Sequence, residues 1–136
     1  MSSSPASREA SCSCGQLRAL VTGEPFRVGV CHCLECQRRT GGPFAAQAWW
    51  HGEQVTIEGR SAEWTRYNDQ DGTPCTFSFC PVCSATVFFQ NARLPDTYAI
   101  PVGAFADPTF PPPQRSTWEE RQHSWVIMPE GIEHIY

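Results

Sequence analysis

The chain contains eight cysteines in 136 residues, and their grouping constrains the fold more than any other feature of the sequence. They are Cys12, Cys14, Cys31, Cys33, Cys36, Cys75, Cys80 and Cys83. An even number of cysteines is compatible with disulfides, but the first eleven residues contain no apolar core of an export signal. In a reducing compartment, clustered cysteines bind metal more often than they form disulfides. The sequence therefore predicts metal sites and a cytoplasmic location.

The composition fits one folded domain of modest charge. Hydrophobic residues make up 40% of the chain and charged residues 18%, with a formal net charge of −4. This acidic balance predicts no general affinity for nucleic acid or for anionic membranes, and no apolar run has the length of a membrane span. We predict a disordered N-terminus over residues 1–10 and a single zinc-binding β domain over residues 11–136. The oligomeric state is left open.

The pattern of apolar residues predicts a mainly β protein. Short segments with period-two alternation, separated by Gly, Pro and Asn, are typical of an antiparallel sheet. One short helix is predicted over LECQRRT, residues 34–40, ended by two glycines. The proline-rich segment ADPTFPPPQ predicts a surface loop, and STWEERQH predicts a second short helix capped by Ser116 or Thr117.

The C-x-C pair and the C-P-x-C pair together could form one complete zinc site. Zinc takes four ligands, commonly thiolates, in tetrahedral geometry. Cys12 and Cys14 supply two sulfurs, and Cys80 and Cys83 supply the other two. Such a site would connect the N-terminal strand to a central hairpin, and structural zinc contributes strongly to the stability of small domains. The alternative is that these cysteines are buried free thiols.

The remaining cluster, Cys31, Cys33 and Cys36, offers three sulfurs at the start of the predicted helix. Three protein ligands with one open position are usual for catalytic zinc, whereas four ligands are usual for structural zinc. The triplet therefore predicts a second zinc whose fourth position is free for water or substrate. Two alternatives remain, in which Cys75 or His32 closes the site, and a third is that the triplet binds no metal.

The motifs SCSCGQLR, CHCLECQRRTGG, FCPVC and VGAFADP resemble those of the glutathione-dependent formaldehyde-activating enzymes, a family that also includes centromere protein V. The resemblance extends from about residue 11 to about residue 125. It implies a zinc-stabilised β-tent fold with two zinc ions per chain. By position, the four cysteines of the two pairs resemble structural ligands, and the triplet resembles a catalytic site. The sequence departs from the family after C-P-x-C, where Ser84 replaces the usual glycine.

The resemblance implies a carbon–sulfur lyase or synthase similar to S-(hydroxymethyl)glutathione synthase. Its substrate would be a glutathione–aldehyde adduct or a similar small thiol or aldehyde. Arg38 and Arg39 are candidates to bind substrate carboxylates, although exposed arginines on a helix are common. Trp50 is a candidate pocket wall together with Phe44 and Trp49, although aromatic residues of a small β domain often belong to the core. The alternative function is a non-catalytic zinc-binding interaction module.

Overall fold

The computed structural model describes residues 6–135. Eleven strands and one α-helix follow one another along the chain: β1 (Ser7–Ser11), β2 (Arg18–Thr22), β3 (Arg27–Cys31), α1 (Leu34–Thr40), β4 (Ala45–His51), β5 (Val55–Glu58), β6 (Ala62–Tyr67), β7 (Pro74–Phe79), β8 (Thr86–Asn91), β9 (Thr97–Pro101), β10 (Arg115–Thr117) and β11 (Glu133–Ile135). Three short 3-10 helices cover Gly52–Gln54, Val102–Phe105 and Glu119–Arg121. The predicted mainly β fold class is confirmed.

The strands form two sheets. The smaller sheet has the order β1-β2-β5, and both of its pairings are antiparallel. The larger sheet has the order β11-β10-β3-β4-β9-β8-β7-β6. Its main part is antiparallel, whereas β10 pairs in parallel with both β3 and β11. The C-terminal segment therefore extends the large sheet at one edge.

The main hydrophobic core contains side chains from both sheets. Ala19 and Val21 of β2 are fully buried with Trp50 of β4 and Ile100 of β9. A second, smaller cluster contains Trp49, Cys75, Phe77, Phe89 and Ala99 from β4, β7, β8 and β9. Because successive residues of a strand point to opposite faces, Trp49 and Trp50 lie on opposite faces of the large sheet. The small sheet covers one face, and the other face carries the second cluster.

The N-terminal boundary differs from the prediction. Residues 7–10, which the sequence assigns to a disordered segment, belong to β1, where Ser7 pairs with Thr22 and Ser11 with Arg18. The segment SREAS has low β propensity, but pairing with β2 and the fully buried Ala10 hold it in the sheet. Residues 1–5 of the predicted disordered segment lie outside the described residues.

The predicted helices have different outcomes. Helix α1 covers Leu34–Thr40, as predicted, and ends at Gly41 with a φ of 73°. The second predicted helix is wrong in its cap and length. Ser116 and Thr117 belong to β10, and only Glu119–Arg121 form a 3-10 turn after Trp118. Pairing of β10 with β3 takes these residues into the sheet. Within residues 6–135, no helix has the length and apolarity needed to cross a membrane.

Candidate metal centres

The first cysteine cluster joins two turns that lie far apart in sequence. Cys12 and Cys14 follow β1, and Cys80 and Cys83 follow β7. The four sulfurs lie within 4.8 Å of one another. Cys14 Sγ is 3.6 Å from both Cys12 Sγ and Cys80 Sγ. Four sulfurs from two separate turns at this spacing suit a single tetrahedral ion.

Amide groups around the first cluster donate hydrogen bonds to two of its sulfurs. The backbone N–H of Leu17 donates to Cys12 Sγ at 3.3 Å, and that of Val82 donates to Cys80 Sγ at the same distance. The side chain of Gln16 donates from Nε2 to Cys80 Sγ at 2.9 Å. Burial alone would raise the pKa of Cys80, but hydrogen bonds from the backbone of Cys83, the side chain of Gln16 and the backbone of Val82 lower it to about 6. The donor set therefore fits a metal that binds thiolate.

The turn between Cys80 and Ala85 depends on a left-handed residue. The N–H of Ser84 donates to the carbonyl of Cys80 at 2.8 Å, and the N–H of Cys80 donates to Ala85 O at 3.0 Å. Ser84 has a φ of 70°, a conformation that glycine adopts more readily than serine. Serine at this position thus keeps the turn but adds backbone strain.

The second cysteine cluster lies where β3 meets helix α1. Cys31 ends β3, Cys33 is the N-cap of α1, and Cys36 lies in its first turn. The three sulfurs lie within 4.8 Å of one another. Cys33 Sγ accepts a hydrogen bond from the backbone N–H of Cys36 at 3.3 Å. The strand-to-helix turn therefore brings all three sulfurs to one place.

The three thiols of the second cluster affect one another's ionisation strongly. Hydrogen bonds from Cys31 and Cys36 lower the pKa of Cys33 to about 2, whereas the contacts of Cys36 with Cys31 and Cys33 raise the pKa of Cys36 far above its usual range. Like charges this close cannot all ionise unless a cation neutralises them. A divalent cation would supply that charge, so this donor set also fits a metal.

The two residues that could close the second cluster lie outside the group of sulfurs. His32 is fully buried, and its Nε2 is 2.9 Å from Ser116 Oγ on β10. Cys75 is buried on β7, in the second hydrophobic cluster. Neither belongs to the set of ligand atoms within 4.8 Å of one another that the described residues contain.

A cavity of about 260 Å³ opens beside the second cluster, and Cys31 and Cys36 form part of its wall. Arg39 and Trp49, which are both candidates from the sequence, also line it. Arg38 does not, since its side chain is 80% exposed on another side of the helix.

The assignment of Trp50 to a substrate site is wrong. Its ring is fully buried in the main core, and its Nε1 donates to Gly23 O at 3.1 Å. Strand alternation points Trp49 to the cavity and Trp50 away from it. Phe44 lies beside His32, with ring centroids 5.9 Å apart.

Three further arginines line the cavity and carry no signal in the sequence. These are Arg27 on β3, Arg66 on β6 and Arg115 on β10. They lie up to 88 positions apart in the chain. The pairing of β10 with β3 brings the first and last of them to one face. The grouping of these arginines becomes apparent only from the order of the strands in the large sheet.

The fold and both clusters define a small β protein with two groups of thiols at metal-ligand spacing. The chain belongs to the glutathione-dependent formaldehyde-activating enzyme family, whose sequence model matches residues 7–126. The fold is similar to the crystal structure of a Rhodobacter sphaeroides protein, with a TM-score of 0.55 and 19% identity, covering 71% of this chain and 85% of that chain. No curated protein matches the sequence significantly. The family resemblance is therefore confirmed.

Proposed function

We propose that the protein is a zinc-dependent carbon–sulfur lyase or synthase that acts on a glutathione–aldehyde adduct or a similar small thiol or aldehyde. The observation that carries this proposal is the division of seven sulfurs into a group of four and a group of three. Membership of the family supports the involvement of glutathione and formaldehyde. Cysteines clustered at metal-ligand spacing suit a reducing compartment, so the cytoplasm is the proposed location.

In this proposal the first cluster holds a structural zinc. Its four cysteines, Cys12, Cys14, Cys80 and Cys83, supply a full tetrahedral set. Cys12 follows a strand of the small sheet, and Cys80 follows a strand of the large sheet. An ion bound to both would fix one sheet against the other around the main core. Residues 11–136, extended to include β1, would then fold as one domain.

The second cluster holds a catalytic zinc in this proposal. Cys31, Cys33 and Cys36 supply three ligands, and the position of Cys31 and Cys36 in the cavity wall gives a small molecule access to the cluster. When bound there, zinc would supply a Lewis acid with a fourth position, at which a thiol or an aldehyde is activated. The backbone N–H of Cys36 would steady the Cys33 thiolate, and Trp49 would exclude water from one side.

The proposed reaction needs no oxidant or reductant. A thiol sulfur forms a bond to the aldehyde carbon, the carbon–oxygen π bond breaks, and the thiol proton ends on the oxygen. The reverse reaction breaks the carbon–sulfur bond and releases thiol and aldehyde. The protein's part is to hold both reactants in the cavity and to favour the thiolate, which is the nucleophile.

Metal content and turnover of the same samples test the proposal. We expect two zinc ions per chain in the parent and in Cys75→Ala, and one in Cys33→Ser. NMR exchange spectroscopy should show faster exchange between free formaldehyde and its glutathione adduct with the parent than with Cys33→Ser. Loss of one zinc in Cys75→Ala would show that the second site is closed. Two bound zinc ions without faster exchange would favour the alternative, a zinc-binding interaction module.

A further inference from the structure

Four arginines surround the cavity beside the second cluster, in a protein that is acidic overall. The four are Arg27, Arg39, Arg66 and Arg115. They are four of the ten basic residues in a chain with a net charge of −4. Among residues 6–135, no aspartate or glutamate lines the same cavity. The positive charge of the molecule is therefore concentrated where the proposed substrate would enter.

Two of the arginines form one group above an aromatic ring. The guanidinium carbon of Arg39 lies 4.4 Å from the ring centroid of Phe77, and that of Arg66 lies 5.4 Å from it. Arg39 comes from helix α1 and Arg66 from the edge strand β6. Contact with the ring faces orients these guanidinium groups but does not neutralise their charge.

The other two arginines come from adjacent strands on the same face. Arg27 lies on β3, and Arg115 pairs with Gly29 of β3. A Cβ atom at Gly29 would lie 3.3 Å from Arg115 Cγ, so glycine leaves room for this side chain. Burial, followed by the charge of Arg115, lowers the pKa of Arg27, and nearby Glu133 opposes this shift. The two guanidinium groups thus repel each other.

Three of these four arginines have a buried nitrogen without a hydrogen-bond partner within residues 6–135. None of the four arginines forms an ion pair there. Arg39 Nε, Arg66 Nη1 and Arg115 Nε are buried without a hydrogen-bond acceptor. Buried donors and like charges without partners are unfavourable, and residues retained in such an arrangement commonly bind a ligand.

We propose that this cavity binds a small molecule with two acidic groups and no cationic group. One acidic group would pair with Arg39 and Arg66, and the other with Arg27 and Arg115, since arginine binds carboxylates through paired N–H donors. The assignment rests on the proposed function in one respect: the ligand is the thiol, or the adduct, that reacts at the second cluster.

The cavity wall offers no carboxylate to a cationic group, and this disfavours glutathione itself as the ligand. Glutathione carries two carboxylates, which the two arginine pairs could bind, but it also carries an α-ammonium group. That group would meet four positive charges and no lining carboxylate. A thiol of similar shape without the ammonium group is therefore the better ligand. The protein would select substrates by net charge.

Isothermal titration of the zinc-loaded protein with succinate and butyrate tests the two acidic groups without any thiol chemistry. We expect succinate to bind at least about tenfold more tightly than butyrate, with an advantage that falls as salt rises. Arg39→Gln should remove this advantage, whereas Arg38→Gln, one residue away on the same helix, should keep it. Arg115→Gln, at the other side of the cavity, should also remove the advantage of succinate. Equal binding of the two acids to the parent would overturn the proposal.

Glutathione and its analogue without the α-amino group, glutaryl-cysteinyl-glycine, test the exclusion of a cation. We expect the analogue to bind at least about tenfold more tightly to the parent, and the ratio to fall in Arg66→Gln. Equal or tighter binding of glutathione would overturn the proposed exclusion of a cationic group. Formaldehyde–glutathione exchange without preference for succinate would refute the proposed ligand and leave the proposed function intact. Preferential binding of succinate without formaldehyde–glutathione exchange would support the proposed ligand and count against the proposed function.

Discussion

Gln16 links the first cysteine cluster to the end of strand β5. Its Nε2 donates to Cys80 Sγ at 2.9 Å and to Arg60 O at 2.8 Å, and its Oε1 accepts from the Arg60 N–H at 2.9 Å. Groups that donate to a metal ligand tune the affinity of the site. Gln16 therefore contributes to the first cluster although it would not bind metal itself.

Replacement of Gln16 by leucine should weaken zinc binding at the first cluster. The variant removes the donor to Cys80 Sγ, so we expect about tenfold faster transfer of one zinc to a chelator, with the second zinc unaffected. A colorimetric chelator assay measures both rates. Gln70→Leu, in an exposed turn, is the matched control and should transfer both ions like the parent. Unchanged transfer in Gln16→Leu would contradict the assigned role.

Replacement of Ser84 by glycine should stabilise the protein. Ser84 has a φ of 70° and is exposed, so glycine relieves backbone strain without loss of packing. The expected gain is up to about 1 kcal/mol, because the greater freedom of glycine in the unfolded chain offsets part of the relief. Urea denaturation of samples with equal zinc content measures it. Ser84→Ala keeps the Cβ atom and should show no gain.

Alanine at Gly59 should disrupt the first cluster, whereas alanine at Gly72 should be mild. Both glycines have positive φ, 98° and 74°. A Cβ atom at Gly59 would lie 1.9 Å from Gln16 O, while one at Gly72 would meet nothing within 4 Å. We expect Gly59→Ala to cost more than about 3 kcal/mol and Gly72→Ala about 1 kcal/mol. Similar denaturation midpoints for the two variants would show that the close approach to Gln16 is absent.

Loss of the first cluster should destabilise the fold more than loss of the second. Cys14 and Cys80 are separated by 66 positions, whereas the second cluster lies within residues 31–36. An ion that closes the longer loop restricts the unfolded chain more, by about 2 kcal/mol on chain entropy alone. Thermal denaturation should therefore give a lower midpoint for Cys12→Ser than for Cys33→Ser. The reverse order would argue against a structural role for the first cluster.

Cys75 should react slowly with iodoacetamide at neutral pH. Burial raises the pKa of its thiol, and this effect exceeds the opposite influence of Arg66 and Arg39. A raised pKa keeps the thiol protonated below the ordinary value, so the labelling rate should still be increasing at pH 9.0. Mass spectrometry of tryptic peptides measures labelling at Cys75 separately from the other cysteines. A rate that levels off near pH 7 would indicate a stabilised thiolate.

Local sequence signals predicted the parts of the structure that depend on neighbouring residues. Helix α1 has the predicted bounds because Gly41 ends it in a left-handed conformation. The division of the cysteines into four and three follows from spacing that matches turns. Strand β2 fits the predicted period-two alternation, because Leu17, Ala19 and Val21, two positions apart, are all fully buried. In these segments local propensity and tertiary packing favour the same structure.

Features that depend on distant pairing were not predictable. Strand β1 exists because β2 pairs with it, and β10 exists because β3 and β11 pair with it in parallel. From the sequence, Trp49 and Trp50 are both candidates for the pocket wall, but adjacent residues of a strand point to opposite faces, and only the position of the small sheet decides which face becomes the core. Arg66 and Arg115 reach the cavity only through the order of strands in the large sheet.

Helix α1 carries both Cys36 and Arg39, three residues apart, whereas the other cavity arginines come from strands. Changes at Arg27, Arg66 or Arg115 can therefore alter which molecules enter while the three sulfurs keep their arrangement. A change in the helix, by contrast, can displace Cys36 and Arg39 together, so chemistry and selectivity are coupled in this one element.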